Sequence, residues 1–161
     1  MVLSHIEEVL LSIKNKLLAN DDLKRLVHYT TPDALGNAVP AIEDVETKFI
    51  TYPLITEDNK IPCFVAINYD GTVPDWVVKK TSNVIKISCV CHRNLWELDN
   101  NHIRAVVMSE IVSELVQNQE FGSVGKLNLT AIVPVYYTPE IIGFALVYEY
   151  VDSLGNEMHE F

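Results

Sequence analysis

Val84-Ile85-Lys86-Ile87-Ser88-Cys89-Val90-Cys91-His92 alternates between two sets of side chains along its whole length, which is the period of an extended strand. The chain then turns through Arg93-Asn94-Leu95-Trp96 and takes up a helical period. Ile103, Val107, Met108, Ile111, Val112 and Leu115 fall on one face of a helix over residues 101–118, with Asp99, Asn100 or Asn101 able to supply the N-cap. Two further alternating stretches follow, Lys126 to Val135 and Ile141 to Val151. In the last, Ile142, Phe144, Leu146, Tyr148 and Tyr150 share one face. Gly143, Ala145, Val147, Glu149 and Val151 share the other, where small residues would let a helix or a second subunit come close. Strand, helix, strand, strand, with little polar chemistry inside, is the pattern of a packed scaffold. Function is expected in surfaces and assembly rather than in catalysis.

Outward from this half, the N-terminal side opens on Ser4-His5-Ile6-Glu7, a capping box in which hydroxyl and carboxylate each satisfy a free backbone N–H. Ile6, Val9, Leu10, Ile13, Leu17 and Leu18 recur at helical spacing and predict a helix from His5 to Ala19. Asn20-Asp21-Asp22 ends it and caps a short helical turn, Leu23 to Val27. Residues 28–45 carry Thr31-Pro32-Asp33, Gly36 and Pro40 and read as a long irregular connection, either a variable surface loop or a partner-binding one. Lys48 to Ile55 reads as a strand whose Tyr52-Pro53-Leu54 lacks a ladder donor, so that it either lies at a sheet edge or ends there. Thr56 to Lys60 would be a hairpin turn into the next strand, Ile61 to Tyr69. Asp70-Gly71 then reads as the start of a second connection, 70–83, whose Val73, Pro74 and Trp76 either tuck over the core or stand out as an arm. The expectation is an α+β fold: a mostly antiparallel sheet of about four or five strands, packed by an N-terminal helix and one long central helix. One domain is expected over residues 1–152, followed by a short polar tail, 153–161.

Composition bounds the function classes. With 161 residues, 48% hydrophobic and 21% charged, the chain is long enough for a real core and too apolar to be disordered. No apolar run approaches the roughly 20 residues of a membrane span. Glu7 and Glu8 interrupt what would otherwise be a signal-peptide region. A net charge of −10 opposes gripping nucleic acid, which needs basic surface, but suits a wall past which a duplex slides.

Candidate chemistry is thin. Cys89-Val90-Cys91-His92, with Cys63 on the preceding strand, is the one cluster of soft ligands. Cys89 and Cys91 would point one way and His92 the other, so four ligands do not converge as zinc requires. Small buried hydrophobes beside Ile85 and Ile87 are the simpler reading. No phosphate-cradling, dinucleotide-binding, nucleophile-elbow or zinc-protease motif occurs. No catalytic residue, metal or cofactor is expected. The contact candidates are Tyr52, Pro53, Val73, Trp76, Arg93, Trp96 and Arg104, with Arg93 and Arg104 as cations suited to a neighbouring subunit's acids. The alternatives are a small metal-binding or enzymatic domain using Cys63, Cys89, Cys91 and His92, and a monomeric module that adds a peptide strand beside Tyr52.

The N-terminal amphipathic helix, the strand ending Tyr52-Pro53-Leu54-Ile55, the Ile85-x-Ile87 strand, the long helix near Arg104 and the closing Gly143-x-x-Leu146-x-Tyr148 occur in one order. In this the chain resembles the tail terminator and tail-completion (head–tail joining, neck) proteins of tailed bacteriophages. The resemblance implies a non-enzymatic virion subunit, assembled in the host cytoplasm into a homo-oligomeric ring of about six copies. Such a ring would join the tail tube to neck or connector proteins, and DNA would pass through its lumen without sequence-specific binding. It implies no membrane partner.

Overall fold

The computed structural model describes residues 2–51, 61–75, 80–121 and 125–153. Helix α1 spans Val2–Leu18 and α2 spans Asp21–His28. The first begins before Ser4, so the expected capping box lies inside its first turn. Asn20 is the cap of α2: its Oδ1 accepts from the Leu23 amide at 2.9 Å. Asn20→Ala is therefore expected to cost about 1 kcal/mol, read as a lower urea midpoint with an unchanged slope.

The connection after α2 is organised by its own polar groups. A 3₁₀ turn at Ala34–Gly36 and a short helix α3, Ile42–Val45, break it up. Arg25 Nε donates to the Asn37 carbonyl at 2.9 Å and the Tyr29 hydroxyl donates to the Ala38 carbonyl at 2.7 Å. The Thr31 hydroxyl donates to the Asp33 carboxylate, holding that carboxyl below its usual range, with Asn37 adding a second donor.

Five strands form the main sheet in the order β1-β2-β3-β7-β6. They are β1 Phe49–Ile50, β2 Cys63–Asp75, β3 Lys80–His92, β6 Asn128–Tyr136 and β7 Ile141–Ser153. Every pairing is antiparallel except β1 with β2, where Phe49 lies opposite Val65 and Ile50 opposite Ala66 in parallel register. The α+β expectation holds, and β1 does stand at one edge. Two details differ. A parallel pair cannot be closed by a tight turn, so β1 and β2 are not the expected hairpin; residues 52–60 of that reading lie outside the described residues. The expected loop at 70–83 is also largely strand. Gly71, at φ 125°, sits at a register shift between Tyr69 and Gly71. The Asp-Gly pair is thus a bulge that bends β2 rather than a turn that ends it, and pairing resumes from Gly71↔Val84 to Asp75↔Lys80.

Between β3 and the last helix, a two-stranded ribbon, β4 Glu97–Leu98 and β5 His102–Ile103, turns through Asn100 and Asn101 at φ 63° and 62°. These asparagines make the turn instead of capping the helix, and α4 starts later than expected, at Arg104–Val116. Helices α1, α2 and α4 cover one face of the sheet. There Val9, Ile13, Leu17, Leu23, Leu26, Met108, Val112 and Val116 pack with Val65, Ile67, Ile85, Ile87, Leu146, Tyr148 and Tyr150. A smaller apolar cluster, Ile50, Phe64, Ala66, Val90 and Ile141, lies on the opposite face. Residues 63–67 are all buried, so this stretch of β2 is apolar on both faces where one-sided alternation was read.

Candidate functional site

The cysteine cluster is core. Cys63 lies directly opposite Cys91, and both share the helix-covered face with Cys89. Cys63 Sγ is 3.6 Å from Met108 Sδ. Loss of solvent pushes the Cys63 thiol up, Cys89 up to about 12 and Cys91 up to about 11, the last opposed by nearby Arg104. Protonated, buried thiols are neither nucleophiles nor metal ligands at neutral pH. His92 turns elsewhere: its Nδ1 accepts from the Asn94 amide at 3.1 Å and its Nε2 lies 3.5 Å from Glu140 Oε2. Among the described residues no group of three or more His, Cys, Asp or Glu is placed to hold a metal ion. No helix among them is long and apolar enough to cross a membrane.

The corner residues separate by environment. Arg93 is exposed, and its amide donates to the Glu140 carbonyl at 2.7 Å, tying the corner to the start of β7. Trp96 is half-buried, packed on the main core with its ring 6.1 Å from that of Phe144. With Asn94, Glu97 and Ile142 the two line a shallow cleft of about 320 Å³. Arg104, expected as a surface cation, is fully buried instead. It donates from Nε to the Leu95 carbonyl at 2.9 Å, from Nη1 to Leu26 at 2.6 Å and from Nη2 to Thr31 at 3.0 Å. Val73 lies in β2 opposite Ser82. Tyr52, Pro53 and Trp76 lie outside the described residues.

The surface that sequence reasoning missed is at the other edge. Among the described residues strand β6 is paired only with β7, and Ile132 is 58% exposed and Tyr136 73% exposed. Val133, on the opposite face from Ile132, is exposed as well. Between β6 and α4 runs a groove of about 470 Å³, with Val106, Ile132, Phe144 and Leu146 as its apolar part and Ser109 and Ser113 on its helix wall. Glu110 and Glu114 stand exposed at its rim. One signal was present in the sequence: Pro134, which cannot donate to a second neighbour, sits within β6 and marks it as an edge.

These features define a class: an acidic α+β domain with its cysteines in the core and with exposed apolar residues along the β6 edge. The chain belongs to the YomW family, whose model matches residues 20–150. No curated protein matches it. Among solved structures it is similar to a chain from the virion of a native gene transfer agent particle, with 12% identity and a TM-score of 0.54. That likeness covers 91% of this chain and 95% of the other, so the two share a fold over nearly their whole lengths.

Proposed function

We propose that this protein is a non-enzymatic structural subunit of a phage-type virion, specifically a ring-forming tail terminator or neck component. The observation that carries the reading is the fold shared along 95% of a chain from a gene transfer agent virion. Three properties of the molecule support it. The buried, protonated thiols offer no reactive group. The exposed edge β6 and the edge at β1 are on opposite sides of one sheet, as head-to-tail ring contacts require. The net charge of −10 suits a lumen that repels DNA phosphates and lets the duplex pass. The partners in this reading are further copies of the chain, the tail tube protein and the connector.

Negative-stain imaging and light scattering of the full chain, alone and mixed with tail tubes, test the proposal. Closed rings, free or seated on tube ends, are the expected result. A protein that stays monomeric in both samples and never appears on tubes would sink it.

A further inference from the structure

We infer that the β6–α4 groove is filled by helix α1 of a second copy of this chain. The inference rests on the ring reading above and names the contact that closes the ring. The first argument is a count of layers. A helix with its side chains is about 10 Å across and strands lie about 4.8 Å apart, so one helix covers about two strands. On the covered face, α1 lies over β1 and β2, and α4 over β3 and β7. The start of the fifth strand, β6, is tied to the end of α4 through Leu129 and Gln117, but farther along, at Ile132, no helix of the described residues lies above it, and Ile132 and Phe144 form the apolar surface of the vacancy. At the other end of the sheet, α1 is the terminal helix of the layer. Its Leu11 is 46% exposed and shares a hollow with Ile6, Leu10 and Thr51, the residue after β1. Placing the β1 edge of one copy beside the β6 edge of another continues both layers at once, with α1 of the second copy over β6 of the first.

Charge gives the second argument. The groove rim carries two exposed acids one turn apart, Glu110 and Glu114, and no base. On α1, Lys14 follows Leu11 by three residues and so lies on the same side of the helix. No ion pair within the chain engages it among the described residues. Leu11 into the apolar floor and Lys14 onto the glutamates is therefore a matched pair. Glu7, also at the Leu11 hollow, and Glu8, exposed and three residues before Leu11, lie about 9–10 Å along the helix from Lys14, on the other side of Leu11 from it. Because the two patches differ, the contact is heterologous and propagates into a ring rather than stopping at a dimer.

Cysteine pairing with a short bis-maleimide tests this in the full chain, since the native thiols are buried. Leu11→Cys and Ile132→Cys are expected to give no cross-linked species separately, a dimer when mixed, and a ladder of multimers when combined in one chain. Glu114→Lys should weaken association about fivefold, and Lys14→Glu in the same chain should restore it. Light scattering on the same samples, with and without tail tubes, separates the outcomes. Association without 11–132 cross-links, or self-linking of Ile132→Cys alone, overturns this contact and leaves the ring reading standing. A monomer under every condition overturns both.

Discussion

Gly143→Ala lowers the stability of the chain by about 4 kcal/mol, above the roughly 1–3 kcal/mol that overpacking usually costs. A Cβ built at this position meets the Cys89 carbonyl oxygen at 2.0 Å, Val90 Cα at 2.8 Å and the Cys89 carbonyl carbon at 2.9 Å. All three are backbone atoms of β3, the strand to which β7 is paired through Val90↔Gly143. No side chain can rotate to make room, so one strand of the sheet's centre has to move by more than an ångström. Against a total stability of roughly 5–15 kcal/mol, that loss is a large share. At about 2–4 °C per kcal/mol for a chain of this size, the melting temperature falls by about 8–16 °C. Gly125→Ala is the control, because nothing lies within 4 Å of a Cβ there; its melting curve should match that of the parent. Equal curves for Gly143→Ala and Gly125→Ala would show that the β3–β7 approach relaxes at no cost.

Gly143 also shows where the sequence can be read and where it cannot. The alternation of β7 places Gly143 and Ala145 together on one face, and small residues there do signal close approach. Within the chain, the group that comes close at Gly143 is the backbone of the neighbouring strand β3. Register and twist decide that, and neither is written in the local pattern of one strand. The same limit applies at Asp70-Gly71. An Asp-Gly pair supplies the positive φ of a turn and of a bulge equally well. Only the continued pairing of Thr72 with Asn83 and Val73 with Ser82 distinguishes them. By contrast, the helix-covered core was legible in advance, because Ile85, Ile87, Cys89 and Cys91 recur at period two and Met108 and Val112 at helical period.

The interface candidates divide along the same line. Trp96, a contact candidate at the corner, packs on the main core beside Phe144 and also lines the cleft with Arg93. Strand β6 was read correctly as a strand, yet its edge position was not. Sequence order does not reveal that β7 pairs inward with β3 and leaves β6 outside. Pro134 was the residue that carried the information. An apolar Ile132 opposite an apolar Val133 looks like a strand buried on both faces. On this edge, with no helix of the described residues above Ile132, the same pair becomes exposed apolar surface.

Arg104→Met is expected to destabilise the chain by about 2–5 kcal/mol, from carbonyls left without a donor, with Arg104→Lys falling between it and the parent. Arg104 is the first residue of α4, where a cation meets the positive end of the helix dipole. Its guanidinium points instead at the negative end of α2, where the Leu26 carbonyl lies in the last turn and accepts at 2.6 Å. The favourable end offsets the unfavourable one. The same group gathers the Leu95 carbonyl from the corner and the Thr31 carbonyl from the connection after α2. A planar fork serves three acceptors in different directions at once, which a single ammonium does not. Methionine retains much of the volume and packs, but takes the guanidinium donor from the Leu26 and Leu95 carbonyls, each costing about 1–3 kcal/mol if it stays buried and unpaired, while the Thr31 carbonyl keeps the Ala34 amide at 3.2 Å. Urea unfolding of the three proteins measures the loss. The corner carrying Arg93 and Trp96 is anchored through Leu95, so Arg104→Met should also raise amide exchange at residues 93–96 before the chain unfolds globally. Unchanged midpoints with unchanged exchange would mean that the corner and the connection are held by their other hydrogen bonds, such as Asp99 N to the Pro32 carbonyl at 3.0 Å.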